Sequence, residues 1–371
     1  MFKQIRYVVA ATFLLTLPHP TVACLNDRDT LASEAQRRPD VLRAITGRFE
    51  RNPPLYYDMR IARLKVELAR NPAILSDYDD IAVALDRRGF DEEAIRWIDR
   101  KVAVLPAITS SDPNITEAWY RYYANSGTFH VHLWIHNGAS PTQFDDLTTA
   151  RDQIAEAIAI KPDAHFGREK YQLKVIDWLI KTRVKGSSET LAAALENAPD
   201  DECATALAGL ITLGNAWESV DIYEALENKL GEKDHALADF ARLRALELVK
   251  IGHKPLVSDE DDADAMADHL IARAPYIREQ YDKQRAEADR WQAARTQYML
   301  GLLEQGRHPD TDPTFWNGWH DSGPPAIVRP PGQYDGLKRL VDIVSFTVIA
   351  LIGLALAAVV VRRQRRERSS V

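Results

Sequence analysis

Between Asn26 and about Arg307, apolar residues return every third or fourth position and charged residues fill the places between them. Leu64 and Leu68, Ile81 and Leu85, and Ile95 and Ile98 are such pairs, set in segments such as IARLKVELAR and EEAIRWIDRK. That period puts the apolar side chains on one face of an α-helix and leaves almost no trace of the alternation a half-buried strand needs. Stripes this closely spaced must be buried against neighbours, so the pattern predicts an all-α domain, a stack of antiparallel helix pairs. Helices are expected over Asp58–Arg70, closed by Pro72, and over about Tyr276 to Gln305. Another is expected behind Ser258, whose acidic followers Asp259, Glu260, Asp261 and Asp262 suit the positive end of a helix dipole.

The two ends depart from this pattern. Lys3 and Arg6, an apolar run from Val8 to Leu17 and small residues at Thr21 and Ala23 have the layout of a secretory signal over residues 1–23. Near the other end, Ile343 to Val361 is 19 residues without a charge, close to the ~20 that cross a bilayer. Arg362, Arg363, Arg365, Arg366 and Arg368 follow, and such a cluster stays on the cytoplasmic side. The expected layout is therefore an exported helical domain over residues 24–306, a linker over 307–336 and a transmembrane helix over 340–361. A basic cytoplasmic tail over 362–371 completes it. Pro309, Pro313, Pro324, Pro325, Pro330 and Pro331 mark the linker as unable to continue a helix. A single span in the inner membrane, with the bulk of the chain on the periplasmic side, is the location this layout implies.

A search for repeats sharpens the helical reading. From about Leu75 to Ala107, Tyr78, Ile81, Ala82 and Leu85 stand at fixed offsets from Gly89, Ala94, Ile98 and Pro106. Ala82 and Ala94 let two helices approach, Gly89 permits a tight turn and Pro106 stops the second helix. Ala150, Ile154, Ala157 and Pro162 repeat the second half of the pattern, with EAWYRYYANSG as its first helix and about 15 inserted residues between. This set of positions resembles the tetratricopeptide repeat (TPR), as in an exported, single-pass bacterial member of that superfamily. Lys101 departs from it, since the family prefers a small residue there. The pair ECATALAGLITLGNAW and ESVDIYEALENKL, with Gly214 near its turn, shares the shape but few of the residues. The resemblance implies an α-solenoid whose first helices line a concave face that holds a partner's peptide. Carried over position by position, that face offers Asp79, Val83 and Asp86, then Glu117, Tyr120 and Ala124.

Charge bears on the partner. Setting aside two Lys/Arg at the start, seven from Lys338 onward, Asp342 and Glu367 leaves 38 basic and 52 acidic residues over 25–337, a net of −14. An acidic exported domain argues against nucleic acid and favours a basic peptide segment. Cys24 and Cys203 admit three readings: lipidation of Cys24, a disulfide between the two, or unrelated thiols.

Candidate chemistry is sparse. His130, His132 and His136 lie in the insertion, and on a helix His132 and His136 share a face at a spacing that can bind zinc. A metal-binding or metal-dependent enzymatic role would need a third ligand such as His165 or His235 to converge on them. Against it stands the packing of histidines among aromatic and aliphatic neighbours. Phe315, Trp316 and Trp319 are expected to pack back onto the helical domain or to meet a partner. No phosphate loop, nucleophile elbow or paired-cysteine zinc pattern is present, and no cofactor is implied. A membrane-anchored protein-binding scaffold or assembly factor is the function this sequence suggests, with the histidine insertion as the alternative.

Overall fold

The computed structural model describes residues 25–29, 40–108, 112–231, 234–256 and 275–326. Every regular element among them is helical. The first six helices are α1 (Val41–Thr46), α2 (Pro54–Arg70), α3 (Leu75–Arg87), α4 (Asp91–Val102), α5 (Pro113–His136) and α6 (Asp145–Ile160). They are followed by α7 (Arg168–Leu179), α8 (Leu191–Ala194), α9 (Asp200–Leu213), α10 (Val220–Leu230), α11 (His235–Lys250) and α12 (Pro275–Leu303). The expected signal, the helix behind Ser258 and the transmembrane helix lie outside the described residues. Among the described ones no helix is long and apolar enough to cross a membrane.

Local chemistry sets the boundaries. Pro54 occupies the first turn of α2, four residues before the expected start, where its missing N–H costs nothing. Gly89 takes φ +76 between α3 and α4, a conformation that residues with a Cβ rarely adopt. Asp91, Glu92 and Glu93 crowd the first turn of α4, where their negative charge suits the positive end of its dipole. Asp112 caps α5 by accepting from the Asn114 amide, and Pro113 fills its first position.

Several of the residues named in the repeat pattern are buried. Tyr78, Ile81, Ala82, Leu85, Ala94 and Ile98 are buried between α3 and α4, and Ala150, Ile154 and Ala157 are buried on α6. Pro106 and Pro162 follow the ends of α4 and α6. The expected insertion begins as helix: α5 runs unbroken for 24 residues through GTFHVHLWIH. Gly127 is part of the reason, because a Cβ there would come within 2.8 Å of Ile154 Cγ1 and 3.0 Å of the Ala150 carbonyl. The bare backbone lets α5 and α6 lie against each other along their length.

Neighbouring helices pack in chain order from α2 to α7, then through α9, α10 and α11 to α12. The last helix returns to the first: α12 packs on α11, α1 and α2. The stack therefore closes on itself within the unit 1–324. The first part of the expected linker belongs to that unit too. Phe315 is buried in the same apolar cluster as α2–α4 residues, Trp316 stacks on Tyr298 at 5.9 Å, and Trp319 meets Trp291 at 6.3 Å.

Candidate functional site

The side chains carried over from the repeat pattern come together on the inner side of α3 and α5. Asp79, Val83, Asp86, Tyr120 and Ala124 are all buried, and Glu117 is half-buried at the rim. Their partners belong to the same chain. Asp79 takes both carboxylate oxygens to the Lys101 ammonium, at 2.8 and 2.7 Å, and Lys101 also donates to the Ala118 carbonyl at 2.9 Å. The departure from the repeat pattern at Lys101 thus answers the acid at Asp79. Burial holds the Asp79 carboxyl above its ordinary value and the Lys101 ammonium below its own. Tyr120 donates to Glu169 at 2.8 Å and stacks on His165 at 5.6 Å. Burial pushes the Glu117 carboxyl up, but hydrogen bonds from Lys161 and Arg121 outweigh it and leave the group below its ordinary value.

What fills the inner face is the segment Leu25–Asp29. Leu25 is fully buried in the apolar cluster of α2, α3 and α4. The next residue is held by its main chain: the Asn26 amide donates to Asn125 Oδ1 at 2.7 Å, and Asn125 Nδ2 donates to the Asn26 carbonyl at 3.0 Å. The same Nδ2 reaches Asp79 Oδ1 at 3.2 Å, which fixes the amide's orientation. Arg168, from α7, donates to Asn26 Oδ1 at 3.4 Å.

Charge then fixes the rest of the segment. Arg28 donates its main-chain N–H to Asp80 Oδ1 at 2.9 Å and its guanidinium to Asp80 Oδ2 at 2.5 Å. Asp77 and Asp310 lie 3.7 and 3.5 Å from the same guanidinium. Asp29 accepts from Tyr56 at 2.8 Å and from Arg60 at 2.9 Å. Arg60 is fully buried, and also reaches Asp27 at 3.4 Å and Asp310 at 2.7 Å. Burial, with the Glu67 and Asp80 carboxylates, lifts Asp77 to about 6. Asn125, Asp80 and Arg60 do the holding, and none stands at a position the repeat pattern marks. A polar amide in the interior of a helix, where asparagine is a poor helix former, is the one signal that sequence reading could have used.

The three histidines of α5 each meet an aspartate on a different helix. His130 Nδ1 lies 2.6 Å from Asp146 on α6, and His132 Nδ1 lies 2.6 Å from Asp86 on α3. His136 Nδ1 pairs with Asp91 at the start of α4, and that hydrogen bond raises its pKa against the opposing effect of burial. His132 and His136 share a face, as their spacing predicts, with ring centroids 6.3 Å apart. His165 and His235 are not part of this cluster: His165 lies on Tyr120, and His235 lines a cleft beside α10. Cys203 is buried in α9, where desolvation pushes its thiol up to about 12. Cys24 lies outside the described residues.

Compared with known proteins, the chain matches no family model, no curated sequence and no solved structure.

Proposed function

We propose that this chain is a membrane-tethered, TPR-like scaffold that binds proteins, and that its inner helical face is a receptor for a peptide segment. One observation carries the reading. The face holds Leu25–Asp29 of its own chain through main-chain atoms, with Asn125 taking both the N–H and the C=O of Asn26. Main-chain recognition of that kind accepts other sequences, and the neighbouring acids and Arg60 add selection for charge. Asp77, Asp80 and Asp310 surround Arg28, so a basic side chain is what the face selects at that position. This supports a basic partner segment, as does the net acidity of the domain. The tether is read from the uncharged run Ile343 to Val361 and the arginines behind it.

A partner must displace the chain's own segment. Its covalent attachment gives that segment a high effective concentration, so the face is guarded against weak ligands. Cross-linked capture of the tagged full-length chain from its native membrane tests this, comparing wild type with Arg28→Glu and with Arg28→Glu/Asn125→Ala. Placing a glutamate among Asp77, Asp80 and Asp310 expels the native segment. The single variant should then capture more of one protein than wild type, and the double variant should lose it. Equal capture by all three forms would move binding off the inner face.

A further inference from the structure

We infer that Asp86, Asp91 and His132 form a binding site for one divalent transition-metal ion, joining α3, α4 and α5. Each of the three offers a ligand atom, and these atoms lie within 4.8 Å of one another. All three residues are more than nine-tenths buried, at 3%, 5% and 0% exposure. The second observation is independent of the clustering. Asp86 Oδ2 and Asp91 Oδ1 are buried atoms with no hydrogen-bond partner among the described residues.

Buried carboxylate oxygens left without a donor are costly, and native proteins rarely tolerate several in one place. A single cation would satisfy both carboxylates and would replace the proton that His132 Nδ1 shares with Asp86. Two carboxylates and an imidazole supply the charge and the ligand types that such an ion takes, and the pair of aspartates neutralises its two positive charges. His136 completes the arrangement from outside, since its Nδ1 pairs with the Asp91 carboxylate and orients it. The sequence pattern pointed to His132 with His136. The structure replaces His136 as a direct ligand by aspartates from two other helices.

The ion would join the end of α3, the first turn of α4 and the C-terminal half of α5. It therefore fastens the hairpin of the clearest repeat to the long helix that carries Asn125. Burial of every ligand suits a structural ion rather than one that meets a substrate.

The test uses the solubilised full-length chain, stripped with a chelator, desalted and titrated with Zn2+ alone. The expected result is one zinc retained per chain after desalting and a melting temperature that rises with Zn2+ concentration. His132→Gln and Asp91→Asn should each lose at least 100-fold in affinity. His136→Gln should lose roughly 10–100-fold, as for a partner of a ligand. His130→Gln, whose Asp146 partner stands apart from the cluster, should bind as wild type does. A wild-type melting temperature indifferent to Zn2+ would overturn the site without recourse to any variant. Stoichiometric zinc that survives both His132→Gln and Asp91→Asn would place binding elsewhere and overturn it equally.

Discussion

Replacing Asn125 with alanine tests how the inner face holds its segment. In the wild type Asn125 satisfies the Asn26 amide at 2.7 Å and the Asn26 carbonyl at 3.0 Å, both away from water. Alanine leaves one buried donor and one buried acceptor without partners, at roughly 1–3 kcal/mol each. Closure of the segment over the face then weakens by roughly 2–6 kcal/mol. Since about 1.4 kcal/mol is a factor of ten, even the lower bound raises the open fraction about 30-fold. The Arg28–Asp80 and Asp29–Arg60 contacts are untouched, so the segment frays before the helices unfold. Hydrogen exchange followed by mass spectrometry reads this directly. The peptide spanning Leu25–Asp29 should exchange at least 30-fold faster in Asn125→Ala, while the protection of α9 and α10 changes far less. Asn125→Asp keeps the acceptor, loses the donor and sets a carboxylate beside the Asn26 carbonyl, so it should also accelerate exchange. Unchanged exchange at Asn26 in the alanine variant would refute the clamp.

Three further outcomes follow from the packing. Lys101→Met should cost roughly 3–5 kcal/mol in chemical denaturation, because it leaves the Asp79 carboxylate buried without its cation; adding Asp79→Leu should recover most of that loss. Gly127→Ala should destabilise by up to about 2 kcal/mol despite the better helix propensity of alanine. Its methyl meets Ile154 and the Ala150 carbonyl, and a melting curve measures the effect. Burial lifts the Glu224 carboxyl to about 7 from its ordinary 4.5, so in this window the folded state holds its proton when the unfolded state has released it. Stability from this group is complete below about pH 4.5 and is lost as pH rises through about 7, by roughly 1–3 kcal/mol after allowance for its partial exposure. Glu224→Gln should flatten that part of the pH–stability curve.

The helices themselves were legible because their stripes are local. Leu64 and Leu68, or Ala150, Ile154 and Ala157, announce a buried face through spacing alone, and Gly89 announces its turn. The inner face was legible only in part. An aspartate at a groove position reads equally well as a ligand for a partner and as half of a buried pair. Only the tertiary approach of Lys101 to Asp79 decides between them. Three of the side chains first assigned to an open groove, Asp79, Asp86 and Tyr120, are core groups with partners in the chain. Alanine at those places would report on folding before it reported on binding. The contact that matters most, Asn26 with Asn125, joins residues 99 apart, and no periodicity encodes it. Gly127 serves close packing of α5 on α6 inside an unbroken helix, a role that no local spacing announces. The histidines show the same limit, since their shared face was readable but the aspartates that meet them come from three other helices.

The most direct test of the account is a titration of a labelled peptide spanning residues 24–33 into the full-length chain, followed by fluorescence anisotropy. Arg28→Glu, with its own segment expelled, should bind the wild-type peptide one to one and at least tenfold more tightly than the wild-type chain does. Arg28→Glu/Asn125→Ala should lose that binding. A peptide that binds neither the wild-type chain nor Arg28→Glu, or that binds the double variant as well as the single one, would contradict an inner face built to receive a peptide.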